Sequence, residues 1–198
     1  MASISVRDIT VLISRWQRGD RDAEKALFET LYQTLRALAA QCLAGEARAQ
    51  TLTPTALVHE AYLRLIKTKE LKIGNRTHFL ALVSRVMRRI IVDRARAIRS
   101  EKRGAKPHRV DLLESMAFTD KNVDEILAVD HALLQLSAHR PREASLVELR
   151  FFAGFSLDEA AAALQISGRT ARRDWEQARI YLKDAIDGTS SSGESQGS

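Results

Sequence analysis

The chain has 198 residues, 45% of them hydrophobic and 28% charged, with a formal net charge of +6 and a single cysteine. This length suits one large domain or two small ones, Cys42 alone excludes an internal disulfide framework, and no apolar run approaches the ~20 residues of a membrane span. Aromatics at 6% with scarce proline and glycine favour helices, the start MASISVRDIT lacks a signal-peptide core, and the excess of base favours polyanionic partners; a cytoplasmic protein is expected.

The first element is a short amphipathic helix over Asp8 to Gln17, with Ile9, Leu12, Ile13 and Trp16 on one side. A longer helix over Asp22 to Leu43 places Ala26, Leu27, Leu31, Leu35, Leu38 and Ala39 at helical spacing. Thr53-Pro54 opens the next: Thr53 caps it, and Pro54 suits the first helical position, where no N–H is needed. Leu57, Ala61 and Leu65, with Val58 and Tyr62, form its apolar side. A fourth helix, with Thr77 as its expected cap, has a core stripe of Phe79, Leu82, Val83, Val86, Met87, Ile90 and Ile91. Arg85, Arg88, Arg89 and Arg96 project from its other faces. No strand pattern of comparable length appears.

Charge is uneven along the chain. Arginines and lysines crowd Arg76 to Arg109, opposed only by Asp93 and Glu101; acids dominate Asp111 to Asp130, opposed only by Lys121. The pattern predicts a nucleic-acid face followed by a segment that does not lie on phosphate. Gly104 to Val123 lacks sustained periodicity and contains Pro107, so it reads as a flexible linker. The resulting fold class is all-α: a helical domain at 1–103, a linker at 104–123, a small helical domain at 124–187 and a disordered Ser/Gly-rich tail at 188–198.

The second domain carries the most informative stretch, Phe155 to Tyr181. Ser156-Leu157-Asp158-Glu159 is a capping box, in which the serine hydroxyl and the glutamate satisfy each other's backbone N–H. An alanine-rich helix follows, then the turn Gln165-Ile166-Ser167, with Ser167 as the next cap. Ala171, Trp175, Ala178 and Leu182 share the buried face of the second helix. This is a helix-turn-helix pattern, and the second helix is placed to enter a DNA major groove. Ser167, Arg169, Thr170, Arg172 and Arg173 are the candidate contacts. Arg169, Thr170 and Arg173 lie where a recognition helix reaches bases, while Arg172 and Arg179 suit phosphates. A solvated amphipathic surface helix is the plainer alternative; two caps, a short turn and a small-residue first helix together favour DNA reading.

Catalysis finds little support. His59-Glu60 begins like a zinc-protease motif, but Leu63 stands where the second histidine must be. The other histidines show no ligand spacing with Cys42, no Gly-rich phosphate loop is present, and no nucleophile signature occurs. No enzyme activity, cofactor or metal is expected.

The order of these features resembles the extracytoplasmic-function (ECF) type of bacterial RNA polymerase sigma factor. Thr51-Leu-Thr-Pro-Thr-Ala-Leu-Val-His-Glu-Ala-Tyr-Leu-Arg-Leu65 is similar to a core-polymerase-binding segment, Phe79 to Arg96 to the promoter-recognition helix after it, and Leu133 to Leu182 to the C-terminal sigma domain. The likeness implies core RNA polymerase and promoter DNA as partners, without a membrane, and an anti-sigma protein is common among such factors. Leu57, His59, Glu60 and Leu63 would dock on a coiled coil of the polymerase's largest subunit. Relatives often carry a motif like Asp-Leu-Val-Gln-Glu there; this chain has Ala56-Leu-Val-His-Glu60, so Glu60 bears more of the polar contact. Arg85, Arg88, Arg89 and Arg96 would hold phosphates at the minus-ten element. Lys69, Lys72 and Asn75 would form a base pocket in a loop that reads equally well as solvated. The helix-turn-helix would read the minus-thirty-five element. Two other readings share these residues: a stand-alone helix-turn-helix repressor or activator that binds a palindromic operator, and an interaction module whose basic helix docks an acidic partner.

Overall fold

The computed structural model describes residues 6–43, 52–68, 73–102 and 120–191. Among them there is no strand. The helices are α1 (Val6–Gln17), α2 (Arg21–Leu43), α3 (Pro54–Lys67), α4 (Arg76–Lys102), α5 (Asp120–His139), α6 (Pro141–Val147), α7 (Leu157–Ala163) and α8 (Gly168–Ser191), with a π-helical turn at Glu148–Phe152 between α6 and α7. The described residues fall into two compact units, one within Met1–Gly45 and Leu52–Ile90 and the other within Ile91–Ser198.

In the first unit, α1 ends at Gln17, and Gly19, with φ of 90°, closes the turn after it in a conformation that costs other residues. Asp20 then caps α2, its Oδ1 accepting the Asp22 and Ala23 backbone N–H groups at 3.0 Å each. The N–H of Ala23, then the Arg15 guanidinium 2.7 Å away, hold the Asp20 carboxyl below its ordinary pKa. As its residues imply, α3 starts with Thr53 accepting from the Ala56 N–H and Pro54 inside the first turn. α4 starts differently from expectation. Its cap is Asn75, whose side-chain oxygen accepts the His78 N–H at 2.9 Å, and Thr77 lies within the first turn.

Ile13, Leu27, Leu35, Leu57, Leu65, Phe79, Met87 and Ile90 are fully buried and form this unit's core. Beside it lies an aromatic cluster of Trp16, Phe28, Tyr62 and Phe79, with edge-to-face pairs at centroid distances of 4.5–6.0 Å. Glu24 holds its polar tips: its carboxylate accepts Trp16 Nε1–H at 3.1 Å and Tyr62 Oη–H at 2.7 Å. One α2 side chain thereby ties α1 to α3. The hydrogen bond to Glu24, then partial burial, push the Tyr62 pKa above its ordinary value.

The division between units falls inside α4. Its later turns bury Ala95 and Ile98 with Val123 of α5, and Ile126 and Leu127 pack alongside. Asp120 to Val123, assigned to the linker from sequence, are the first turn of α5. The rest of the second unit is built on Leu133, Leu136, Ala144, Val147 and Ala178, against which Phe152, Trp175, Tyr181 and Leu182 pack. α8 contacts α5, α6 and α7, so its back is anchored by three helices.

Candidate nucleic-acid interface

The end of the chain places α7, a four-residue turn and α8 in succession. Both sides of the capping box form: Glu159 N–H donates to Ser156 Oγ at 3.2 Å, and Ser156 N–H donates to Glu159 Oε2 at 2.8 Å. α7 is only seven residues long, and Ala160 and Ala161 bury its inner face. The turn reverses through Gln165, with φ at 55°. Ser167 caps α8, accepting the Thr170 N–H at 3.1 Å; its Oγ also lies 2.9 Å from Thr170 Oγ1. The Thr170 hydroxyl is therefore engaged with the cap.

Ala171 and Ala178 are fully buried, and small side chains there let α8 seat closely. Arg169, Arg172, Arg173 and Arg179 are exposed. Arg179 pairs with Glu176 at 3.3 Å, one turn away. Arg150 lies over the Trp175 ring, 4.8 Å from its centroid, joining the π-helical turn to the back of α8.

Between Ala171 and Ala178 sits a residue that the sequence reading passed over. Asp174 has no exposed surface. Arg142 of α6 donates Nε–H to its Oδ2 at 2.6 Å, and Arg173 donates to its Oδ1 at 3.4 Å. The contact with Asp174 raises the Arg142 pKa above its ordinary value. Nothing in the local pattern separates Asp174 from the solvated acids around it; only its spacing from Ala171 and Ala178 marks the buried face.

On α4, Arg85 and Arg89 are exposed and Arg88 is half-buried. At about 100° per residue, Arg85 and Arg89 lie about 40° apart around the helix. Arg96 is exposed, but its guanidinium is 3.0 Å from the nearly buried Asp130 carboxylate, and Arg99 is 3.6 Å from Asp124. Arg96 is thus a structural partner of α5 in this state rather than an uncommitted phosphate ligand. Asn75 is the α4 cap, so its amide oxygen serves the backbone. Lys69 and Lys72 lie outside the described residues. His78 is exposed, whereas Phe79 is fully buried and has no face to stack on a base.

The four docking candidates on α3 separate. Leu57 is fully buried, because its position faces the bundle core, and it has no surface for a partner. His59 is exposed, Leu63 is 40% exposed, and Glu60 is half-buried with an ion pair to Arg64 at 3.1 Å. Ile66, also 40% exposed, joins His59 and Leu63 at i+7 and i+3 spacing. That periodicity is written in the sequence, although Ile66 directly follows Leu65 of the buried stripe and was not among the sequence candidates. Beside this face is a groove of about 1290 Å³, lined in part by His59, Tyr62 and Ile66 of α3 and by Lys25, Glu29 and Tyr32 of α2.

Among the described residues no group of three His, Cys, Asp or Glu side chains is placed to hold a metal ion. Nor is any helix among them long and apolar enough to cross a membrane. A family model described as "ECF sigma factor" matches residues 6–188. No curated protein and no solved structure matches the chain.

Proposed function

The chain belongs to the ECF sigma factor family, whose members act in transcription initiation, and from that premise we propose how its surfaces divide the task. The second unit reads the upstream, minus-thirty-five element through α8, with Arg169 and Arg173 toward bases and Arg172 toward phosphate. Ser167 contributes by fixing the start of that helix, and Thr170 adds a methyl and a shared hydroxyl beside it. The arginines of α4, chiefly Arg85, Arg88 and Arg89, hold the phosphates of the minus-ten element. Arg96 joins them when its partner Asp130 yields it. Lys69 and Lys72 keep their proposed place in a base pocket; Asn75 supports it as the cap of α4.

Docking on core polymerase falls to the outer face of α3. His59, Glu60 and Leu63 present one polar and one apolar edge there, with Ile66 extending the apolar part toward the α2–α3 groove. Leu57 holds α3 in the bundle from behind. The partner surface is a helical coiled coil of the largest polymerase subunit.

The single observation that carries the DNA assignment is α8 itself. Its start is capped at Ser167, its back is buried at Ala171 and Ala178, and Arg169, Arg172 and Arg173 stand exposed in its first two turns. A helix so anchored can enter the major groove without rearrangement. Footprinting of promoter DNA bound by polymerase holoenzyme containing this chain tests it. Arg169→Ala and Arg173→Ala should uncover the upstream element while leaving the downstream protection in place. Unchanged upstream protection in both variants would reject α8 as the reading helix.

A further inference from the structure

We propose that Asp174 is a positioning residue for upstream-element recognition, orienting the Arg173 guanidinium while Arg142 balances its buried charge. The proposal rests on the assignment of α8 as the reading helix. Its basis is the division of one carboxylate between two arginines of different kinds. Oδ2 receives Arg142 from α6, 32 residues earlier in the chain, at 2.6 Å. Oδ1 receives Arg173, the adjacent residue on α8, at 3.4 Å. The carboxylate side chain is 1% exposed, while the Arg142 and Arg173 side chains are 51% and 64% exposed.

Burying a carboxylate is costly unless it is paired, and a buried ion pair is often no more stabilising than apolar packing of the same volume. Alanines three residues before and four after show what packing alone uses on this face. What an acid adds at 174 is direction. A guanidinium has five N–H donors in a rigid planar fork, and one edge of it matches the O6 and N7 atoms of guanine. With one Arg173 donor held by Asp174, the fork is turned to present its other donors along a defined line. Without the carboxylate, the same arginine still attracts phosphate, but it meets base edges in many orientations. Arg142 enters as the partner of the buried acid, and it ties α6 to the helix whose arginine is being aimed.

The test uses the full chain with core polymerase and a promoter library varied in the upstream element, comparing Asp174→Asn, Arg173→Ala and the double variant. Melting temperature is recorded for each. Arg173→Ala should flatten the preference at one or two base pairs. Asp174→Asn should flatten the same positions by about tenfold, the scale of one lost base contact, with transcription from less favoured promoters kept. The double variant should be no flatter than Arg173→Ala. The proposal is overturned if Asp174→Asn leaves selectivity unchanged while Arg173→Ala flattens it, if Asp174→Asn lowers all promoters alike, or if its effect persists undiminished in the Arg173→Ala background. Should Arg173→Ala leave selectivity unchanged, the reading role of Arg173 fails first, and that failure is seen separately. If Asp174→Asn does not fold, Arg142→Gln at a half-exposed position leaves the carboxylate to Arg173 alone. Its selectivity change must then disappear when Arg173 is alanine; persistence overturns the proposal.

Discussion

Leucines 57 and 63 sit six residues apart on α3 and should respond to truncation in opposite ways. Leu57 is fully buried. Leu57→Ala therefore removes buried methyl groups and leaves a cavity, at a cost of about 3 kcal/mol. For a unit of this size that lowers its melting temperature by roughly 15 °C. Leu63 is 40% exposed in the free protein. Leu63→Ala costs the free protein only about 1 kcal/mol, or roughly 5 °C. Docking would cover the exposed remainder of Leu63, worth about another 1 kcal/mol, so the variant should bind core polymerase about fivefold more weakly. Thermal melting by circular dichroism, and equilibrium binding to fluorescently labelled core polymerase at a temperature where both variants are folded, give the two readouts. Folded Leu57→Ala should bind like the parent. The reasoning is refuted if Leu63→Ala binds with undiminished affinity, or if folded Leu57→Ala is the weaker binder.

Three further outcomes follow from local geometry. Ser156→Ala removes the hydroxyl half of the capping box on a seven-residue helix; it should cost about 1 kcal/mol and lower the melting temperature of the second unit, with Ser156→Asp restoring it. Arg89→Ala should reduce the slope of log affinity against log salt for promoter DNA by about 0.9, one phosphate's share, without changing sequence preference; an unaltered slope would remove Arg89 from the phosphate set. Asp20 titrates below its ordinary value because its charged form is hydrogen-bonded to the Ala23 N–H and to Arg15. A lowered folded-state pKa gives stability that is present above the unfolded value and lost as pH falls through the folded one. The melting-temperature difference between the parent and Asp20→Asn should therefore shrink as pH falls from about 6 to about 3; a difference independent of pH would show that the pairing contributes nothing.

Features encoded by neighbours in the chain were legible before the structure. Thr53-Pro54 and Ser156 to Glu159 are caps because their partners are three residues away, and hydrogen bonding over that range is written in the local order of residue types. The helical stripes of α2 and α4 were legible for the same reason. What depends on distant partners was not. The spacing of Asp174 from Ala171 and Ala178 puts it on the buried face of α8, but nothing local names Arg142 as its partner, and Glu24 gives no hint that it will bridge Trp16 and Tyr62. Leu57 and Leu63 are the same residue type on one helix, and here the spacing with Ala61 and Leu65 already marked Leu57 as the core residue. The competition between Asn75 and Thr77 for the α4 cap turned on two residues. Asn75 won because its amide oxygen reaches the third N–H of a helix that begins one residue after it.

Multi-round transcription by purified core polymerase, with and without this chain, on a library of promoter fragments addresses the central claim most directly. A sigma factor acting through these surfaces should direct RNA synthesis from a small set of fragments sharing two spaced sequence elements, with the upstream element losing its effect in Arg173→Ala. Folded chain that joins the polymerase but leaves start sites unselected, or that never joins it, would contradict the claim.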